Sequence, residues 1–193
     1  QMAEEGVVFR TGVYVGQNYP AQELVENFDA VFLTGGSTVP RDLDVPGREL
    51  NGIHPAMDYL VMQNRVNTGA EFPEPERITA EGKHVIILGG GDTGADCLGT
   101  AHRQGPELVS QFELLAEPPN ERRWDNPWPQ WPNILRSSGA HEEGGIRDYD
   151  ILTKSFSGSN GRVEKLHAVR VEWTPGENGR YNMEEVPDSE FEV

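Results

Sequence analysis

The sequence has little cysteine and no long apolar run. Cys97 is the single cysteine among 193 residues, so the chain can form no internal disulfide, no CxxC redox pair and no iron–sulfur ligand set of its own. It contains neither a charged and then apolar leader nor an apolar run of about 20 residues, a pattern that predicts no secretion and no membrane span. We therefore expect a cytoplasmic protein in a reducing compartment.

Positive charge is also scarce. Sixteen Lys and Arg residues stand against 32 Asp and Glu residues, which gives a formal net charge of −16. Such a charge repels phosphate backbones, so we predict neither nucleic acid nor an anionic membrane as a partner. The length suits one domain, or one domain with part of another. Because the chain begins at Gln1, we expect it to be a piece of a longer protein.

The order of apolar runs and turn residues predicts an α/β fold. Residues 1–50 contain the strand candidates "VVFR", "VYV" and "DAVFLTGGS", a helical patch "AQELVENF" and a proline- and glycine-rich connector. Residues 51–193 begin with a helix, "HPAMDYLVMQNRV", and continue with alternating strands and helices. From about Asp148, β-type runs alternate with turns such as "SGSNGR" and "TPGENGR". We predict a Rossmann-like parallel sheet with flanking helices and an appended β-meander, preceded by a partial domain and connector over residues 1–50.

A glycine motif lies between the strand "HVIIL" and the helix "TGADCLGTAHR". Gly89, Gly91 and Gly94 have the spacing G-x-G-x-x-G, with Gly90 inside the turn. The first glycine permits a tight turn, the second lets a pyrophosphate approach the backbone, and the third lets the helix pack closely on the strand. The helix N-terminus adds free N–H groups and a positive dipole end. We predict a dinucleotide site here, with a purely structural turn as the alternative.

Three nearby side chains complete this predicted site. Glu113 follows the next strand, 19 residues beyond Gly94, where an acid accepts hydrogen bonds from ribose hydroxyls and repels a 2′-phosphate. Asp92 and Thr93 stand where the helix begins, and either capping of the helix or contact with the cofactor explains them.

Other polar clusters favour neither a metal site nor a catalytic residue. The run "HEEGG" at residues 141–145 offers adjacent side chains that cannot all converge on one ion, so we predict a solvated helix end or loop and no metal. The remaining histidines have no nucleophile beside them in the sequence that would indicate a triad. Cys97 is expected to pack as a small apolar side chain.

The combination of motifs resembles one family. The stretch "DAVFLTGGSTVPRDLDVPGRELNGIHPAMDYL", followed by "HVIILGGGDTGADC" and "NPWPQWPNILR", is similar to the small subunit of glutamate synthase. That subunit is a flavoprotein with two nested dinucleotide-binding domains. The resemblance covers nearly the whole chain, and it implies that the chain holds the end of the first FAD segment, the connector and nearly all of the inserted NAD(P)H-binding domain.

The resemblance also implies cofactors and partners. Thr34, Gly35 and Gly36 would approach FAD, and Glu113 takes the place of the ribose-binding acid. Members that use NADPH carry an arginine pair just after that acid, whereas this chain has leucines, which favours NADH. Arg122 and Arg123 lie downstream and offer an alternative that would favour NADPH. In the intact protein, FAD, iron–sulfur clusters and the large subunit would complete the path of electrons to glutamate formation.

The implied reaction is hydride transfer between two cofactors, which needs ring stacking and no acid or base from a side chain. We therefore nominate no catalytic residue, and we expect the chain alone to be inactive because the rest of the FAD domain is not in it. Two alternatives stay open: a dinucleotide-sensing module without turnover, and the equivalent domain of a related flavin oxidoreductase with another electron acceptor.

Overall fold

The computed structural model describes residues 1–37, 39–73, 76–176 and 180–193. By the clustering of its contacts, the chain divides into two units, Gln1–Val39 and Pro40–Val193. The predicted turn at residues 174–180 lies partly outside the described residues. Within the described ranges, no helix is both long enough and apolar enough to cross a membrane.

The described residues of the first unit include a short helix, α1 (Ala21–Asn27). The strands predicted at "VVFR", "VYV" and "DAVFLTGGS" are wrong for its described residues, since only an isolated bridge between Val15 and Tyr19 forms there. An apolar run becomes a strand only when its N–H and C=O groups pair with a neighbouring strand. Phe32 and Leu33, in the middle of the longest run, are 87% and 91% exposed.

The second unit is built around a parallel sheet of three strands in the order β1-β2-β3. Its strands are β1 (His84–Leu88), β2 (Leu108–Phe112) and β3 (Ile146–Asp148). Between them run α3 (Asp92–Arg103) and the short α4 (Gly139–Glu142), and α2 (Ala56–Asn67) precedes the sheet. The register pairs His84 with Leu108 and Leu88 with Phe112, so both strands end at the same edge.

Side-chain alternation divides this sheet into two faces. Val85, Ile87 and Val109 face the helices, where Leu98 of α3 is fully buried. Ile86 and Phe112 point to the opposite face and pack into a second apolar cluster. Successive side chains of a strand point to opposite faces, so a strand that is covered on both faces contributes to two separate apolar clusters.

A meander covers the second face. Its strands are β4 (Ile151–Ser159), β5 (Arg162–Pro175), β6 (Tyr181–Glu185) and β7 (Phe191–Glu192), and β5 pairs antiparallel with each of the others. Asn160 and Gly161 turn β4 into β5, both with positive φ, as a tight hairpin turn requires. The predicted Rossmann-like sheet with an appended meander is confirmed.

The connector packs onto this meander. Leu43, Val45, Leu50 and Ile53 lie partly buried against the second cluster. The Asn51 carbonyl accepts a hydrogen bond from the Val163 N–H at 3.0 Å. Gly47 has φ +83°, and a Cβ there would collide with the Phe156 carbonyl, so this close approach needs glycine.

Candidate functional site

The glycine turn lies where β1 ends and α3 begins. Gly89 has φ +116°, which a residue with a side chain rarely adopts, and its N–H donates to the Phe112 carbonyl at 2.8 Å. Gly91 is the N-cap of α3, with extended backbone. The predicted strand, turn and helix are therefore all present, and the free N–H groups of the helix start lie at the carboxyl edge of the sheet.

The other two glycines of the motif differ in their surroundings. A Cβ at Gly94 would collide with the Gly89 carbonyl oxygen and lie 2.7 Å from Gln111 Nε2, so this position allows α3 to pack closely on the turn. A Cβ at Gly91 would meet no atom of the described residues within 4 Å. The space beside Gly91 is open, as a position that faces a ligand requires.

Glu113 directly follows β2 and reaches the turn. Its Oε2 accepts a hydrogen bond from the Gly90 N–H, and its Oε1 accepts one from the Leu115 N–H at 3.2 Å. The structure thus brings the predicted ribose acid and the predicted phosphate turn together. A Cβ at position 90 would crowd this carboxylate, so any side chain there would require Glu113 to move.

Asp92 and Thr93 do not cap the helix. Asp92 is the first residue of α3, and neither side chain makes a capping hydrogen bond. Both side chains are exposed. The capping interpretation is wrong because Gly91 is the N-cap and α3 begins at Asp92, whereas a cap at Asp92 would require the helix to begin at Thr93. Asp92 contributes its negative charge to the first turn of the helix.

The two arginines form hydrogen bonds within their own loop. Arg123 contacts Asp125 at 3.0 Å, and Arg122 donates to the Gln130 carbonyl at 3.4 Å. In the same loop, Trp124, Trp128 and Trp131 are between 77% and 90% exposed. The structure places neither arginine on Glu113 or on the glycine turn.

Thr34, Gly35 and Gly36 belong to the first unit. All three are exposed, and Gly36 has φ +66°. Their assignment to FAD remains a prediction from the resemblance.

Three residues beside the turn were not predicted from the sequence as parts of the site. Gln111 of β2 is 2% exposed, and its Nε2 donates to the Gly89 carbonyl at 2.8 Å. His141 Nε2 lies 3.1 Å from Gln111 Oε1, and its Nδ1 accepts from the Ser138 N–H at 3.0 Å. The sequence offered one signal, a long amide side chain at position 111 inside the predicted strand. The residues on either side of it, Ser110 and Phe112, are buried in the structure.

Within the ranges that the structure describes, no group of three or more His, Cys, Asp or Glu side chains is arranged to hold a metal. Cys97 is buried among the side chains between α3 and the sheet, as predicted. Burial raises the pKa of this thiol to about 11, with a smaller contribution from the charge of Asp96. The chain therefore offers a protonated thiol in an apolar core.

The chain has relatives among known proteins. No protein-family model matches the chain. It is 47% identical over 196 residues to the glutamate synthase [NADPH] small chain of Mycobacterium tuberculosis. The chain is a homologue of the glutamate synthase small subunit. The match covers all of this chain and 39% of that relative, so the chain spans about two fifths of the glutamate synthase small chain.

Further relatives agree with this result. The glutamate synthase [NADPH] small chain of Bacillus subtilis is 39% identical, with 98% of this chain and 40% of that one covered. The glutamate synthase [NADH] of Schizosaccharomyces pombe is 45% identical, with 98% and 9% covered. The resemblance to the glutamate synthase small subunit is thus confirmed, whereas the names of these relatives include both nicotinamide cofactors.

Among solved structures, the chain is similar to Mycobacterium tuberculosis FprA in complex with NADPH, with a TM-score of 0.58. The comparison covers 94% of this chain and 51% of FprA. FprA is described as an oxidoreductase. At 16% identity, this likeness shows the fold alone.

Proposed function

We propose that this chain binds NAD(P)H within the small subunit of a glutamate synthase, and that hydride passes from the nicotinamide to FAD there. The observation that carries the proposal is the contact between Glu113 and Gly90. It joins an acid suited to ribose hydroxyls and a turn suited to a pyrophosphate at one edge of the parallel sheet. The names of the relatives favour this function over a sensing module.

The residues present fit a dinucleotide. The N-terminus of the 12-residue α3 lies at the turn, and no side chain among the described residues fills the space beside Gly91. The turn already donates an N–H to an anionic oxygen, that of Glu113, which supports its ability to donate to a phosphate oxygen. A dinucleotide would therefore extend from the ribose acid across the glycines toward the start of the helix.

In this proposal the side chains of the chain bind and orient. When bound, the nicotinamide supplies a hydride and FAD accepts it. Glu113, held by the Gly90 N–H, binds the ribose hydroxyls, and the free N–H groups at the start of α3, beginning with Gly91, hold the pyrophosphate, so that the nicotinamide end is presented to the flavin. Such a transfer does not require a side chain to add or remove a proton.

We further propose a preference for NADH. Leu114 and Leu115 follow the acid and offer no positive charge to a 2′-phosphate, and the Leu114 carbonyl is bonded to the Trp173 indole N–H at 3.1 Å. Arg122 and Arg123 contact Gln130 and Asp125 instead. Neither the two leucines nor the two loop arginines therefore offers a positive charge to a 2′-phosphate beside the carboxylate of Glu113.

The partners of the whole protein are part of the proposal. By homology, Thr34, Gly35 and Gly36 would contact FAD in the completed FAD domain. Electrons would then pass through iron–sulfur clusters to the large subunit, where glutamine and 2-oxoglutarate give glutamate. A cytoplasmic location stays a prediction from the sequence.

Calorimetric titration of the chain with NADH and with NADPH tests the proposal. We expect both to bind and NADH to bind more tightly. Gly91→Val should weaken both by at least about tenfold, because a branched side chain would fill the open space at the turn. Gly105→Ala, in the loop between α3 and β2, serves as the control for a destabilised glycine away from the turn. Its φ of +75° makes the methyl group cost stability, whereas both affinities should stay unchanged.

A charge exchange tests the preference. Glu113→Arg combined with Leu114→Arg should shift the ratio of the NADH and NADPH affinities toward NADPH by about tenfold or more. An unchanged ratio would reject the ribose assignment of Glu113. Tighter binding of NADPH by the unaltered chain would reject the preference and move attention to Arg122 and Arg123.

A further inference from the structure

Gln111 supports the glycine turn through a hydrogen bond to its backbone. It projects from β2 under the turn, is almost fully buried, and donates to the Gly89 carbonyl at 2.8 Å. The same amide nitrogen lies 2.7 Å from the place where a Cβ on Gly94 would stand. Both ends of the G-x-G-x-x-G motif are therefore in contact with one amide group. A buried amide of this kind is stable only when its donor and acceptor are both satisfied.

His141 satisfies the other end of this amide. Its Nε2 lies 3.1 Å from Gln111 Oε1. Its Nδ1 receives the Ser138 N–H at 3.0 Å, and a backbone N–H can only donate. The lone pair of the neutral ring is thereby assigned to Nδ1 and the proton to Nε2, which donates to Gln111. This fixes the amide with its NH₂ group toward Gly89.

The neutral ring fits these surroundings. Burial lowers the pKa of His141, and the positive charge of Arg147 lowers it further. If the ring were charged, its second proton would lie on Nδ1, where it would point at the Ser138 N–H and remove the acceptor of that hydrogen bond. The hydrogen bonds thus form one directed series, from Ser138 through His141 and Gln111 to the carbonyl of Gly89.

We infer that Gln111 and His141 are positioning residues for the dinucleotide site. The Gly89 carbonyl belongs to the same peptide group as the Gly90 N–H, so fixing it also holds that N–H on Glu113. The peptide groups that follow, at Gly91 and the start of α3, are thereby oriented before the ligand arrives. Order of this kind lowers the entropy cost of binding. Because the pair lies under the pyrophosphate segment and not at the ribose, it acts equally on NADH and NADPH. The identity of the ligand rests on the proposed function, whereas the order of the turn does not.

Two readouts test the inference on the whole 193-residue chain. Hydrogen exchange of the Gly89 and Gly90 amides, which donate to the Phe112 carbonyl and to Glu113, reports the order of the turn, and calorimetric affinities for NADH and NADPH report binding. Gln111→Leu and His141→Leu should each raise the exchange rate at Gly89 and Gly90 by roughly tenfold and weaken both affinities by a common factor of roughly five to ten. Exchange at Val169, which is buried in the meander, should stay unchanged.

His141→Gln is the conservative variant, because its amide can still donate to Gln111, and we expect it to recover most of both losses. The matched histidine control is His84→Leu. His84 begins β1, at the opposite end of the strand from the turn, and pairs with the exposed Glu107. It should change neither readout.

The outcomes separate the two proposals. Wild-type exchange and affinity in both leucine variants would overturn the inference, and so would an exchange increase that is as large at Val169 as at the turn. If the unaltered chain binds neither dinucleotide, the proposed function fails for this chain, and the exchange at Gly89 and Gly90 still decides the positioning role. If Gln111→Leu does not fold, the comparison of His141→Leu with His141→Gln decides it.

Discussion

The helix-covered face and the meander-covered face of the parallel sheet are built from different side chains. Toward the helices, α3 presents small residues, with Ala95, Cys97 and Ala101 all buried, and Gln111 adds a buried polar group from the sheet. Toward the meander the cluster is apolar and contains two phenylalanines, Phe112 and Phe156.

This difference separates two tasks. Small side chains let the start of α3 approach the sheet closely, which brings the N–H groups of the turn to the sheet edge. Large side chains remove more apolar surface from water and so contribute more stability per residue. We therefore expect changes on the helix face to affect both stability and binding, and changes on the meander face to affect stability alone.

The largest expected effect comes from truncating one leucine on each face. Leu98 in α3 is fully buried, and Leu166 in β5 is 3% exposed. Leu98→Ala and Leu166→Ala should each lower the free energy of unfolding by about 2–5 kcal/mol, measured by urea denaturation. Leu98→Ala should also weaken NADH binding, whereas Leu166→Ala should leave the affinity within about twofold. Equal losses of affinity in the two variants would remove the distinction between the faces.

An intermediate effect is expected from methyl groups added at the turn. Gly94→Ala should cost about 1–3 kcal/mol of unfolding free energy, because the new Cβ collides with the Gly89 carbonyl and crowds Gln111. Gly91→Ala should cost less than about 1 kcal/mol, because its Cβ meets open space at an N-cap. Thermal and urea denaturation of both variants check this order, and a greater loss in Gly91→Ala would contradict the packing described for Gly94.

The smallest expected effect concerns an ion pair that joins the two sheets. Asp148 ends β3, and Arg170 of β5 donates to its two oxygens at 2.7 and 2.6 Å. These hydrogen bonds hold the pKa of Asp148 below its usual value of 3.8. The pair therefore stabilises the fold above about pH 3.8, and this contribution is lost as the pH falls through the lowered pKa.

Asp148→Asn should cost about 1 kcal/mol or less at pH 7, since both side chains are more than a third exposed and water screens the pair. The difference from the unaltered chain should shrink as the pH falls below about 3.8. Urea midpoints measured from neutral to acidic pH check this, and a difference that grows toward acidic pH would contradict the assignment.

The core of the fold was predictable because its signals are local. β1, the glycine turn, α3 and β2 follow one another in the chain, and their periods and glycines mark each boundary. The placement of Glu113 followed from the same pattern, because an acid directly after a parallel strand lies at the sheet edge. The predicted strand around Phe32 failed because local pattern cannot supply a pairing partner.

The support of the turn was not predictable for a related reason. Gln111 and His141 are 30 residues apart, and no periodic pattern connects a strand amide with a histidine in a four-residue helix. The contact of Asn51 with Gly161 spans 110 residues and escapes sequence reasoning in the same way. Such contacts depend on how the helices and the meander pack around the sheet.

The single cysteine is a chemical probe for the opening of the helix face. Cys97 is 5% exposed and its pKa is about 11, so a thiol reagent reacts with it only when α3 opens away from the sheet. Under conditions where closing is faster than modification, the labelling rate measures the free energy of that opening. Because the chain has no other cysteine, the mass increase over time reports the labelling of Cys97 alone and hence the opening of the helix face. If NADH binds the closed form, added NADH would slow this labelling.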